Sequence, residues 1–158
     1  MESYRENFIK NRFSGLNFIQ DNESSSSFGV LRGLHFQKSP YAQTKLVRVI
    51  KGKVLDVAVD LRKKSKTFGF HYSIELSDEN KKQLLIPKGF AHGFIVLTKN
   101  AVFSYKVDNI YNSKYDSGIK YDDPILNIDW KIDKKYINVS EKDESLQSFK
   151  KFKSNIKI

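Results

Sequence analysis

The sequence predicts an all-β domain, an antiparallel sandwich or barrel, and three observations carry the prediction. From Val30 to Val107, short runs rich in Val, Ile, Leu, Phe and Tyr recur at about ten-residue spacing. Turn-forming clusters such as Ser39-Pro40, Lys51-Gly52 and Pro87-Lys88-Gly89 separate those runs. Aromatics make up 13% of the chain, with 12 Phe and 8 Tyr, which suits pleated, half-buried surfaces and a lined pocket.

Taken in order, residues 4–14 read as a short helix or turn with Tyr4, Phe8, Ile9 and Phe13 as its apolar positions. Leu16 to Ile19 reads as a strand, and Asp21 to Ser27 (DNESSSS) as a polar loop. Strands are then expected at 30–37, 45–50, 53–61, 70–76, 83–86, 92–97 and 101–107. Ser77-Asp78-Glu79-Asn80 and Lys99-Asn100 supply further turns. In 53–61, Val57, Val59 and Leu61 share one face, while Asp56, Ala58 and Asp60 share the other. Those two carboxylates read as a catalytic pair, or else as an outward face or partners for basic neighbours. After Trp130 the chain turns polar and lysine-rich, as expected of a docked segment that frays at its end.

At 158 residues, with no repeat and no long linker, the chain fits one domain spanning 1–158. Cysteine is absent, which excludes disulfide and thiolate chemistry and makes a reducing cytoplasm the expected location. No window approaches the ~18 consecutive apolar residues of a membrane span, and no N-terminal run resembles a signal peptide. The net charge of +10 comes from scattered lysines, except in the basic tail 144–158 with Lys150, Lys151, Lys153 and Lys157. A solvated basic surface, or one that draws in an anionic substrate, accounts for it. Nucleic-acid motifs are missing, so neither nucleic acid nor membrane is an expected partner.

The stretch Gly29 to Arg48 concentrates chemistry, placing Arg32, His35, Gln37, Lys45 and Arg48 on two short runs. Gly33, inside an extended run, suggests a bulge or a close backbone approach, and a bulge would turn Arg32 and His35 to one side despite their odd spacing. An imidazole of ordinary pKa ~6.5 suits proton transfer near neutrality, though a lone histidine is also commonly structural. Lys45, Tyr105 and Asp143 have bland readings too: a strand-start lysine, a core tyrosine and one charge in a charged run. Pro87 to His92 resembles half of a metal-binding cupin signature, P-x-G-x-x-H. His35 lacks the H-x-H partner of the other half, so no metal is expected.

The motifs LRGLHFQ, KLVRVIKGKVLDVAVDLR and IPKGFAHGF resemble those of the dTDP-4-dehydrorhamnose 3,5-epimerases, cupin-class sugar-nucleotide enzymes, from about Glu2 to about Asp143. The resemblance implies an antiparallel jelly-roll (cupin-like) β-barrel with short peripheral helices, acting as a homodimer without a cofactor. It implies inversion at C3 and C5 of dTDP-4-dehydro-6-deoxy-D-glucose. His35 matches the catalytic base, Lys45 the lysine near the keto oxygen, Tyr105 the general acid and Asp143 the carboxylate that orients the histidine. Glu2, Gln20, Asp21, Asn22, Arg32, His92, Asp116 and Lys142 match substrate-binding positions. A 3-epimerase, a 3,4-ketoisomerase or a non-catalytic sugar-binding cupin remain alternatives.

Two departures from the family pattern stand out. Asp116 occupies a position that is usually Glu, shortening its reach by one methylene. The family's N-terminal strand and G-D-x-R-G-F-F-like segment are expected to be missing ahead of Glu2.

Overall fold

The computed structural model describes residues 1–13 and 15–155. Ser14, at the end of the expected N-terminal helix or turn, and residues 156–158, including the tail's Lys157, lie outside the described residues. Among the described residues ten strands form in chain order: β1 Gln20–Ser27, β2 Val30–Gln37, β3 Lys45–Lys51, β4 Lys53–Asp60, β5 His71–Ser77, β6 Gln83–Ile86, β7 Phe90–Val96, β8 Asn100–Val107, β9 Asp116–Gly118 and β10 Asn138–Val139. Three short α-helices accompany them among the described residues, α1 Glu6–Arg12, α2 Glu141–Glu144 and α3 Phe149–Asn155, with 3-10 turns at Ser113–Tyr115 and Lys134–Tyr136. One sheet runs β1-β8-β3-β6, and the other β10-β2-β7-β4-β5 with β9 added beside β2. The pairings between these strands are antiparallel except the short β10–β2 contact.

The alternation of each strand builds two cores. Val47 and Val49 of β3, Phe103 of β8, Val54 and Ala58 of β4, and Phe94 and Val96 of β7 point inward and join the two sheets face to face. This is a jelly-roll type barrel. The opposite face of the second sheet offers Leu31, Leu34, Leu55, Val57, Val59 and Ile95. The C-terminal segment covers that face with Ile119, Leu126, Trp130 and Phe149. The chain after Trp130 is therefore docked, and the described part of the tail forms α3 with Phe149 buried and Phe152 against the same core.

Two local readings need correction. Asp21–Ser27 belongs to a strand, not a loop: β1 pairs with β8 from Gln20↔Val107 to Ser27↔Asn100. Its serines are compatible with a ladder because Ser24 and Ser26 face an interior that is polar at this point, while Ser25 and Ser27 are exposed. Leu16–Ile19 forms no strand, although Ile19 N donates to Val107 O.

Gly33 produces the expected bulge. Its φ is +125°, and the β2–β7 register shifts between Arg32 and His35. A Cβ at Gly33 would stand 2.5 Å from Gly93 Cα and 2.8 Å from the His92 carbonyl oxygen, so only glycine fits. Leu34 consequently turns to the outer core, and Arg32 and His35 both face inward.

Candidate active site

Between the sheets lies an open cavity of about 860 Å3, and six strands and the start of α2 contribute polar residues to its lining. β2 contributes Arg32 and His35, β3 Lys45, β7 His92 and Phe94, and β8 Phe103 and Tyr105. Asn22 and Ser24 come from β1, and Ser140, Lys142 and Asp143 from the start of α2. The parity that buries Val47 and Val49 also sends Lys45 inward, and Tyr105 lies opposite Val47 in the β3–β8 ladder.

His35 and Asp143 form a tight dyad. His35 Nε2 is 2.7 Å from Asp143 Oδ1, and Asp143 Oδ2 accepts from Gly33 N at 3.0 Å. Ser140 caps α2 by accepting from Asp143 N, which fixes the carboxylate's approach. Asp143 is only 3% exposed. Desolvation pushes its carboxyl up, but hydrogen bonds from His35 and the Gly33 N–H outweigh this and hold it below the usual range. An ionised carboxylate can only accept, so Nε2 carries the proton and Nδ1 keeps a lone pair. The dyad can therefore take up a proton at Nδ1 while Asp143 stabilises the resulting imidazolium.

Lys45 and Tyr105 supply two further functions. The Lys45 ammonium sits 5.9 Å from the centre of the Tyr105 ring. Desolvation pushes Lys45 below its ordinary value, against the pull of the Asp56 and Asp116 carboxylates. Burial pushes the Tyr105 phenol up, with Arg32 partly opposing it, so the hydroxyl stays protonated and able to donate. Arg32 donates through Nε and Nη2 to Ser26 Oγ at 3.2 and 3.1 Å, and its guanidinium lines the cavity. An anion such as a diphosphate fits that guanidinium.

Not every binding position expected from the sequence reaches the cavity. Glu2 is exposed, pairs with Arg5 at 2.9 Å and lines a separate cavity of about 450 Å3 with Tyr4, Phe8, Ile9 and Leu46. Gln20 stands behind Asn22, donating to its Oδ1 at 2.7 Å, and is not among the lining residues. Asp21 reaches the rim but is held by Lys106 at 2.7 Å. Asp116 accepts from Gln37 at 3.0 Å and from Lys142 at 2.7 Å and is not among the residues lining the cavity. Loss of solvation raises its carboxyl, but those partners, Lys142 foremost, leave it lowered.

Three features escaped the residue-level reading. Ser26 anchors Arg32, Phe103 stacks with His92 at 5.9 Å and 25°, and Asp56 bonds His92 Nε2 through Oδ2 at 2.9 Å. The sequence signal for Asp56 was its shared face with Ala58 and Asp60. That face proves to be the barrel interior, so neither carboxylate is outward. Asp60, 1% exposed, is tied to Arg62 and Thr67 and serves the fold.

Known proteins resemble this chain in sequence and in fold. The model of the family described as dTDP-4-dehydrorhamnose 3,5-epimerase matches residues 1–151. A protein of that name from Methanothermobacter thermautotrophicus is 48% identical over 146 residues, covering 92% of this chain and 78% of its own. The crystal structure of one from Elizabethkingia anophelis is 53% identical with a TM-score of 0.91, covering 95% of this chain and 82% of that one. The Legionella pneumophila dTDP-6-deoxy-D-glucose-3,5-epimerase, solved with dTDP-4-keto-L-rhamnose, is 45% identical with a TM-score of 0.89, covering 93% and 78%.

Proposed function

The chain belongs to the dTDP-4-dehydrorhamnose 3,5-epimerase family, and from that premise we propose how its residues invert C3 and C5 of dTDP-4-dehydro-6-deoxy-D-glucose. The 4-keto group acidifies both neighbouring C–H bonds. His35, with its lone pair on Nδ1, takes a proton from one carbon, and the C–H electron pair moves into the carbonyl to form an enolate. The Lys45 ammonium stabilises the enolate oxygen more than it stabilises the ketone, which is the condition for accelerating the step. Tyr105 donates its phenolic proton to the opposite face of the same carbon, inverting it. Solvent then reprotonates the phenolate and relieves the imidazolium, and the cycle repeats at the second carbon.

The observation that carries this reading is the His35–Asp143 dyad sharing one cavity with Lys45 and Tyr105. Arg32, Asn22, His92 and Lys142, lining the same space, are suited to the diphosphate and sugar hydroxyls. In this reading the protein works in the cytoplasm as a homodimer. The apolar groove beside Phe8, Ile9 and Leu46 supports the pairing, and sedimentation returning only monomer would remove it.

Proton NMR of the 4-keto nucleotide sugar in D2O tests the reaction. The protein should introduce deuterium at both C3 and C5, and His35→Asn should abolish both exchanges in a folded chain. Exchange at the wild-type rate in the variant would show that His35 is not the base.

A further inference from the structure

Arg32 is held by a neutral partner, and the way it is held leaves one edge of its guanidinium open. Nε and Nη2 both donate to a single oxygen, Ser26 Oγ, at 3.2 and 3.1 Å. Those two N–H groups lie along one side of the planar fork. The end edge, made by Nη1 and the second Nη2 hydrogen, has no partner among the described residues. Two parallel donors on such an edge match two oxygens of a phosphate group.

Ser26 is brought to Arg32 by the strand it stands on. It lies opposite Ala101 in the β1–β8 ladder and shares the inward face with Asn22 and Ser24, which line the cavity. It is 9% exposed. β1 and β2 belong to different sheets, so the contact passes from one wall of the barrel to the other. A serine hydroxyl has two acceptor lone pairs, and here one guanidinium engages the oxygen twice.

The neutrality of this anchor matters. Lys142, another cation lining the cavity, is paired with the Asp116 carboxylate at 2.7 Å, whereas Arg32 joins no ion pair among the described residues. A carboxylate in place of Ser26 would align the fork but would also cancel the charge that an anion needs. A hydroxyl aligns it and leaves the charge whole. An unanchored arginine would surrender its rotamer freedom on binding, and here the fold has already fixed it.

We propose that Ser26 is a positioning residue for the nucleotide's diphosphate, holding the Nε–Nη2 edge of Arg32 so that the Nη1–Nη2 edge meets two phosphate oxygens. The inference rests on the functional reading above and adds the residue that sets the geometry of its anion clamp.

Calorimetric titration with dTDP, together with KM and rate for deuterium exchange at C3, tests this in Ser26→Thr and Ser26→Val. The two replacements have the same shape and suit a strand, but only the first keeps the hydroxyl. Ser26→Val should weaken dTDP binding and raise KM by about tenfold, the lower end for a hydrogen bond to a charged group. Its exchange rate at saturation should stay within about threefold of wild type, because the diphosphate is held alike in ground and transition states. Ser26→Thr should bind dTDP within about twofold of wild type. In an Arg32→Ala background, adding Ser26→Val should change the affinity by less than about twofold, since no guanidinium is left to position. Ser26→Ala, which adds no volume, replaces Ser26→Val if the added methyl groups prevent folding. Equal dTDP affinity in Ser26→Thr and Ser26→Val, or the same loss with Arg32 removed, overturns the proposal. A wild type that binds no dTDP and exchanges no deuterium would instead overturn the functional reading.

Discussion

Asp143→Asn exchanges one oxygen for an NH2 group in a carboxylate whose two oxygens are both occupied. Oδ1 meets His35 Nε2 at 2.7 Å and Oδ2 meets Gly33 N at 3.0 Å. If the amide keeps its oxygen toward His35, its NH2 faces the Gly33 N–H, donor against donor. If it flips, its NH2 donates to Nε2, which moves the imidazole proton to Nδ1, the nitrogen that must accept from carbon. The flipped arrangement satisfies every donor, so it should dominate. Loss of the working tautomer is worth about 10⁴ in rate for a triad histidine, and a loss of ~10³–10⁴ in C3 exchange is expected here.

Stability should fall by about 1.5–3 kcal/mol at neutral pH, the worth of a hydrogen bond to a charged group. The pH dependence has a fixed sign. Asp143 is held below its ordinary value in the fold, so its contribution is complete above the unfolded value of ~3.9 and is lost as pH falls through the folded one. The gap between wild type and variant should therefore be full at pH 7 and close in acid below pH ~4. NMR exchange in D2O and thermal melts between pH 3 and 7 read the two effects separately. Exchange within about threefold of wild type would refute the tautomer argument, because a wrongly protonated histidine cannot lose so little.

Tyr105→Phe removes the opposing acid but leaves His35 and Lys45 able to form the enolate, so exchange should persist while net inversion at C5 falls by ~10²–10⁴; equal loss of both, read by NMR, would assign Tyr105 to binding or folding. Gly33→Ala forces a Cβ to within 2.5 Å of Gly93 Cα at a φ of +125°, and the strain should cost about 3 kcal/mol or more, roughly 6–12 °C of melting temperature in a domain of this size. A melting temperature within about 2 °C of wild type would show that the β2 backbone can yield at the bulge.

Much of the barrel was legible in the sequence because its strands are locally determined. The expected strands at 30–37 and 83–86 match β2 and β6 at both ends, and the other paired runs agree within two residues. β1 was read as a loop because polar composition usually marks a turn. Here Ser24 and Ser26 face a polar interior, and the β8 partner that makes the segment a strand is some eighty residues away. β9 and β10, of three and two residues, carry no detectable period. The face shared by Asp56 and Asp60 was legible as a face, but its direction was not, since alternation cannot tell inside from outside when both faces are buried.

By itself, the sequence determined the longer apolar strands, which side chains share a face, that Gly33 breaks the alternation, and through resemblance the family in which His35, Lys45, Tyr105 and Asp143 are the expected site residues. Only the tertiary structure decided which of them meet. Asp143 reaches His35 across 108 residues of chain, Asp56 joins His92, and Glu2 and Asp116 remain outside the cavity. The division has a physical cause. Strand alternation and turn chemistry depend on neighbours in the chain, whereas contact between side chains depends on ladder register and sheet packing, which distant segments fix together.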